Sequence, residues 1–241
     1  MRFLTLPIAA LLLTACASNH PATPQPVSDN PYTQAYTSQA KVAAKAEAGP
    51  PQIFRGKDKQ ADYQRQLEKG YDVLGYSSFE AADVAPAKLT EQAVKVNADV
   101  ALVYTAVANR TMVSVRPDAA KAATGTQAAN TDEAPGTGRL YNYFATYWTK
   151  LPAPILGVHV QGTAQAQNGE TGLVVLAVIE GSPAAAELRK DDTLLRLGDA
   201  RLDQPEALMQ TARRYAGQSV EVVFERQGEI LSRSLTLASR P

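Results

Sequence analysis

Three patterns in the chain predict an α+β protein, a small α/β domain (βαβ plus hairpin) followed by a partly open β-barrel with capping helices. The first is an alternation of a short strand at 71–76, a helix at 86–97 with Leu89, Ala93 and Val96 inward, and an apolar strand at 99–106. The second is the unbroken apolar run from Leu173 to Ile179 between Gly172 and Gly181, the mark of a strand buried on both faces. The third is a helix opened by Pro205 and stopped by Gly217, then two short strand patterns around Gln227-Gly228. With 241 residues and 45% hydrophobic content, the chain has room for two small cores. Its 24 Lys plus Arg balance 24 Asp plus Glu, and a formal charge of zero gives no electrostatic footprint for nucleic acid.

Residues 1–15 read as a secretory signal. Met1-Arg2 precedes an apolar stretch at 3–13, too short for a membrane span, which needs about 20 residues. The stretch ends in Leu13-Thr14-Ala15-Cys16, which resembles a bacterial lipobox. The resemblance implies lipidation of Cys16, with fatty acyl chains such as palmitate, and stable anchoring because several chains hold where one is marginal. Ordinary signal cleavage after Ala15 is the other reading. Ala17 is not the aspartate that retains lipoproteins at the inner membrane of enteric-type bacteria, so the resemblance implies the outer membrane, facing the periplasm. Cys16 is the single cysteine, which excludes an internal disulfide and a cysteine metal site.

Residues 16–51 are rich in Ala, Pro, Ser, Thr, Asn and Gln without apolar period and predict a disordered tether, Pro31, Tyr32 and Tyr36 included. Residues 52–149 form the α/β domain. A helix at 57–69 carries Tyr63 and Leu67 on one face, and the strands at 71–76 and 99–106 are expected as parallel neighbours. Ser77, Ser78 and Phe79 follow the first strand, and Asn109-Arg110 turns the chain into a hairpin. The plain stretch 118–138 is expected as a mobile insertion. Then comes an aromatic strand, with Tyr141, Tyr143 and Tyr147 on one side and Phe144 and Trp148 on the other. Only 150–153 separates it from the next domain, which predicts a rigid two-domain body.

Residues 150–241 carry, in order, Pro154-Ile155-Leu156-Gly157-Val158, the apolar run 172–179, Gly181-Ser182-Pro183-Ala184, Leu188 to Gly198, the helix from Pro205, and the strand 220–225. In that order they resemble a bacterial PDZ domain of the kind attached to periplasmic HtrA proteases. The resemblance implies a groove that binds a peptide by strand addition, its carboxylate held by backbone N–H groups. Carried over, the loop residues are Ile155, Leu156, Gly157 and Val158, and the strand residues Val158, His159 and Val160. With Leu208, Ala212 and Tyr215 inward, the groove side of the helix is expected to carry Glu206, Met209, Gln210 and Arg213, a polar lining. Ala186-Glu187-Leu188 and Asp191-Asp192 stand where such domains have Ala-Gly-Leu and Gly-Asp; aspartate tolerates the left-handed turn.

No enzyme is expected. The histidines are His20 in the tether and His159, read either as an exposed strand side chain or as a pH-sensitive groove residue. No Gly-x-Ser-x-Gly elbow occurs, and no clustered His or Cys set supports a metal. The expected function is a lipid-anchored cell-envelope protein that binds protein or peptide segments, without cofactor. The alternatives are a structural or assembly lipoprotein that self-associates and a non-catalytic subunit delivering substrates to a separate protease.

Overall fold

A computed structural model describes residues 28–39, 49–113 and 137–239. The signal, Cys16, His20 and residues 118–136 of the expected insertion lie outside the described residues. The elements of the first sheet and its helices are α1 (Pro31–Gln34), β1 (Tyr36–Ser38), β2 (Gln52–Arg55), α2 (Lys59–Glu68), β3 (Tyr71–Ala81), α3 (Pro86–Lys95), β4 (Val100–Val113) and β5 (Thr137–Lys150). Strand order is β1-β3-β5-β4-β2.

This order corrects the expected neighbours. Strands β3 and β4 run in the same direction but do not pair, because β5 lies between them, antiparallel to both. The aromatic strand in the middle is covered on both faces. Tyr143, Ala145 and Tyr147 are buried in one cluster and Trp148 in another. Nor does the chain turn at Asn109-Arg110. Strand β4 continues to Val113 opposite Thr137, bending at an irregularity between Val107 and Thr111. Ser77, Ser78 and Phe79 lie inside β3, which pairs with β5 as far as Ala81. Ser77 is fully buried and donates to the Tyr32 carbonyl at 2.7 Å, with the Tyr147 hydroxyl 3.1 Å away.

The tether expectation fails over 28–39. Asn30 caps α1 by accepting from the Tyr32 N–H, and Tyr32, 3% exposed, meets Phe79 edge-on at 4.9 Å. Strand β1 pairs with β3. Gly75 permits that approach, since a Cβ there would lie 2.4 Å from the Thr37 carbonyl oxygen. The signal missed was the Asn-Pro-Tyr run, a capped helix start followed by an aromatic anchor.

Helix α2 is pinned at its start. Asp58 caps it, and the buried Asp62 carboxylate accepts from the Lys57 and Asp58 N–H groups, Arg65 and Tyr104. Burial alone would push the Asp62 carboxyl up; the four donors more than offset it and hold it below the usual carboxylate range.

The second sheet comprises β6 (Val158–Gln165), β7 (Thr171–Val178), β8 (Thr193–Leu197), β9 (Ala200–Arg201), β10 (Ser219–Arg226) and β11 (Glu229–Thr236), with a 3₁₀ turn at Pro183–Ala186 and helix α4 (Pro205–Arg214). The order β11-β10-β8-β7-β6, with β9 on β8, leaves β6 and β11 as edges. The described strands form an open sheet and do not close into a barrel. Leu173, Val175, Leu194, Leu197, Leu202, Val222 and Phe224 make its core. Gln227 and Gly228, both at positive φ, turn β10 into β11.

Asp191 adopts the left-handed conformation at φ 69°, as its side chain allows. Its neighbour Asp192, 1% exposed, accepts from Arg226 on both oxygens at 2.7 Å and from the Arg189 N–H. The Asp192 hydrogen bonds raise the Arg226 pKa, and a third Arg226 N–H, also on Nη2, reaches the Glu187 carbonyl at 2.9 Å. Arg226→Ala strands the Asp192 charge and is expected to cost about 3 kcal/mol. A urea unfolding series checks it, and a loss below about 1 kcal/mol would show the pair to be an ordinary surface contact.

Candidate functional site

Between the edge of β6, helix α4 and the loop before β6 lies a groove of about 800 Å³. Ile155, Leu156, Gly157, Val158, His159 and Val160 all line it. Of the four helix residues expected there, Met209 and Arg213 line it, while Glu206 and Gln210 are exposed and do not. The helical period explains the error. Met209 and Arg213 form one column beside the Leu208 and Ala212 column, and Glu206 and Gln210 form a column turned away. Pro205, Leu208 and Ala212 complete the wall, which is therefore mainly apolar, and Met209 is 50% exposed.

The loop is set by packing. Gly157 has φ 95°, and a Cβ on it would lie 2.1 Å from the Ser182 Cβ. The carbonyls of Ile155, Leu156 and Gly157 accept from the N–H groups of Ala238, Ala184 and Ile179 at 2.9, 3.0 and 2.9 Å. Among the described residues no partner is recorded for the N–H groups of Leu156 and Gly157. A loop whose carbonyls bond inward and whose amides remain available suits an anion. Ser182, whose hydroxyl donates to the Gly157 carbonyl at 3.3 Å, is a structural residue of this loop.

The other side of the groove was not foreseen. Gln39, Tyr63, Leu67, Asp72 and Val73, all from the first sheet and its helix, border the same cavity. They reach it because α2 lies on the face of β6 and β7 turned from the C-terminal core. Leu67 and Trp148 pack with Ala177 and Leu176, the Gln64 side chain donates to the Leu176 carbonyl, and the Glu180 N–H donates to the Glu68 carbonyl at 2.8 Å. Tyr63 and Leu67 were recognised as one helix face; what that face covers was not visible.

His159 corrects the reading as an exposed strand side chain. Its imidazole is half-buried and lines the groove. It bonds the Leu67 backbone beside Asp72, and Nε2 is buried without a partner among the described residues. Burial lowers its pKa, partly offset by Asp72 and the Leu67 bond. With the folded value below the unfolded value of about 6.5, the unfolded chain binds the proton first, so this stabilisation is full above about pH 6.5 and declines as pH falls through the lowered folded pKa. Denaturant unfolding of the protein and of His159→Gln at several pH values checks this. The difference between them is expected to shrink below pH 6.5; a constant difference refutes it.

Among the described residues no group of three His, Cys, Asp or Glu is placed to hold a metal, and no helix is long and apolar enough to cross a membrane. No family model and no curated protein matches the chain. Among solved structures, the chain is similar to the HtrA-type protease AlgW with a decapeptide, at 22% identity over 47% of this chain and 41% of that one, with a TM-score of 0.32. A variant of that protease matches with a decapeptide at 22% identity, 47% and 40% coverage and TM-score 0.33, and with a tripeptide at 20%, 46%, 43% and 0.31. The chain spans about two fifths of the length of these proteases, and scores of this size leave the site to rest on its own geometry.

Proposed function

We propose that this is a lipid-anchored, non-catalytic protein of the cell envelope whose C-terminal domain is a PDZ-like module, binding a protein segment or free C-terminus by β-strand addition. The observation that carries it is the juxtaposition of an edge strand with an apolar wall. Strand β6 pairs on one side only, with β7, and the groove along its other side ends at the loop amides of Leu156 and Gly157. An extended segment laid there pairs its backbone with β6, turns alternate side chains onto Leu208, Met209 and Ala212, and brings a terminal carboxylate to the loop.

The anchoring rests on Leu13-Thr14-Ala15-Cys16 and the apolar stretch before it. The non-catalytic reading is supported by His159, the one histidine among the described residues, being packed at the junction of the two sheets rather than beside a nucleophile. Partners are accordingly exposed segments or C-termini of envelope proteins.

An NMR titration of the purified protein with a mixed pool of peptides, each with a free and an amidated C-terminus, tests the groove. Shifts at residues 156–160 that need the free carboxylate are expected. No shifts with either form would sink the binding role and leave a structural one.

A further inference from the structure

A strand added to β6 offers two sets of side chains, and one set meets a surface that a lone sheet would lack. Val158 and Val160 pack toward the C-terminal core, whereas His159 points to the opposite face, against Leu67 and Asp72. A terminal residue paired opposite Val158 shares its face, so the residue before it, opposite His159, projects toward the first sheet. There the groove does not end. Gln39, Tyr63 and Val73 border both it and a second cleft of about 470 Å³ between α2 and the sheet, whose deeper lining includes Tyr76, Tyr104, Phe144 and Trp148. This cleft continues the interface where Leu67 and Trp148 already pack against Ala177.

We infer that the cleft is a side-chain subsite of the groove, taking a large aromatic side chain from the penultimate residue of the bound segment. This rests on the groove reading above and deepens it: the first sheet selects the partner. The rings already meet at aromatic contact distances, Tyr63 and Trp148 at 5.1 Å and 63°, Tyr76 and Phe144 at 5.9 Å, Tyr104 and Phe144 at 5.9 Å, and an incoming ring adds to that set. The one charged residue lining the cleft is Lys59, whose ammonium lies 4.2 Å from the centre of the Phe144 ring. With a cation in place and no acid in the lining, a Lys or Arg side chain is disfavoured.

The test uses the purified protein and peptides identical except for Trp, Ala or Lys at the penultimate position, with affinities from fluorescence anisotropy. The Trp peptide is expected to bind on the order of tenfold more tightly than the Ala peptide, and the Lys peptide no more tightly than Ala. Tyr76, which lines the cleft but not the groove, is the residue to change: Tyr76→Ala should bring the Trp-to-Ala ratio to about twofold or less, while Tyr76→Phe retains it; binding of the Ala peptide by each variant reports an intact groove. Equal affinity for Trp and Ala, or a ratio that survives Tyr76→Ala, overturns the inference. So does equally tight binding of the amidated Trp peptide, which would make the cleft an independent site. If no peptide binds at all, the groove reading falls and the subsite with it.

Discussion

The structure depends on one strand being buried from both sides. Strand β7 sends Leu173 and Val175 into the C-terminal core and Leu176 and Ala177 against Leu67 and Trp148 of the first sheet. Each large apolar side chain so buried contributes about 1.5–3 kcal/mol, so the two sheets are fixed to each other through the strand next to β6. Two consequences follow. The edge that β6 presents cannot swing away from the first sheet, and the residues that happen to flank it, Tyr63, Asp72 and Val73, become part of any site built there.

Polar groups hold the surrounding loops where packing alone would not. Asp62 satisfies two backbone donors ahead of α2 as well as Arg65 and Tyr104, which fixes the helix that covers β7. Asp192 and Arg226 tie the turn before β8 to the end of β10, and Arg226 reaches on to the Glu187 carbonyl after the 3₁₀ turn. Ser77 joins α1 to the aromatic strand through the Tyr32 carbonyl and the Tyr147 hydroxyl, with burial pushing the Tyr147 phenol well above its ordinary value. These are buried groups with their partners supplied, which is why they specify one arrangement rather than several.

What the residues announced and what they concealed divide along sequence distance. The apolar run that became β7, the Pro205 helix, the Gln227-Gly228 hairpin and the two-sided aromatic strand are local patterns, and each is found where the pattern lies. The position of β5 between β3 and β4 is not local. It is a pairing of segments far apart in the chain, and the βαβ rule sees only direction, not neighbourhood. The parallel pairing of β2 with β4, over just Gln52 to Arg55, left no periodic trace. Low apolar content disguised 28–39, because one fully buried tyrosine and a capped turn suffice to fix a short segment. Of the site, the loop and strand were legible because a motif carried them, and the helix face was half legible because a helix has two candidate columns. That the two domains meet was legible in the short connection at 150–153; that Gln39, Tyr63, Asp72 and Val73 would border the groove was not, since no local pattern reports it.

The same geometry decides which residues can separate folding from binding. Gly157 has the conformation that the loop requires, yet the space its Cβ would enter is filled by Ser182, and its carbonyl bonds both the Ile179 N–H and the Ser182 hydroxyl. Any larger residue there disturbs the turn before it changes the groove, so lost binding in such a variant says nothing about carboxylate recognition. Met209 and Tyr63 stand differently, exposed by 50% and 36% while bordering the cavity. Truncating either removes surface that faces the cavity and disturbs little that holds the chain together. A groove whose floor is core and whose two rims, Met209 on α4 and Tyr63 on α2, are exposed can therefore vary at its rims while the loop and the buried strand stay as they are.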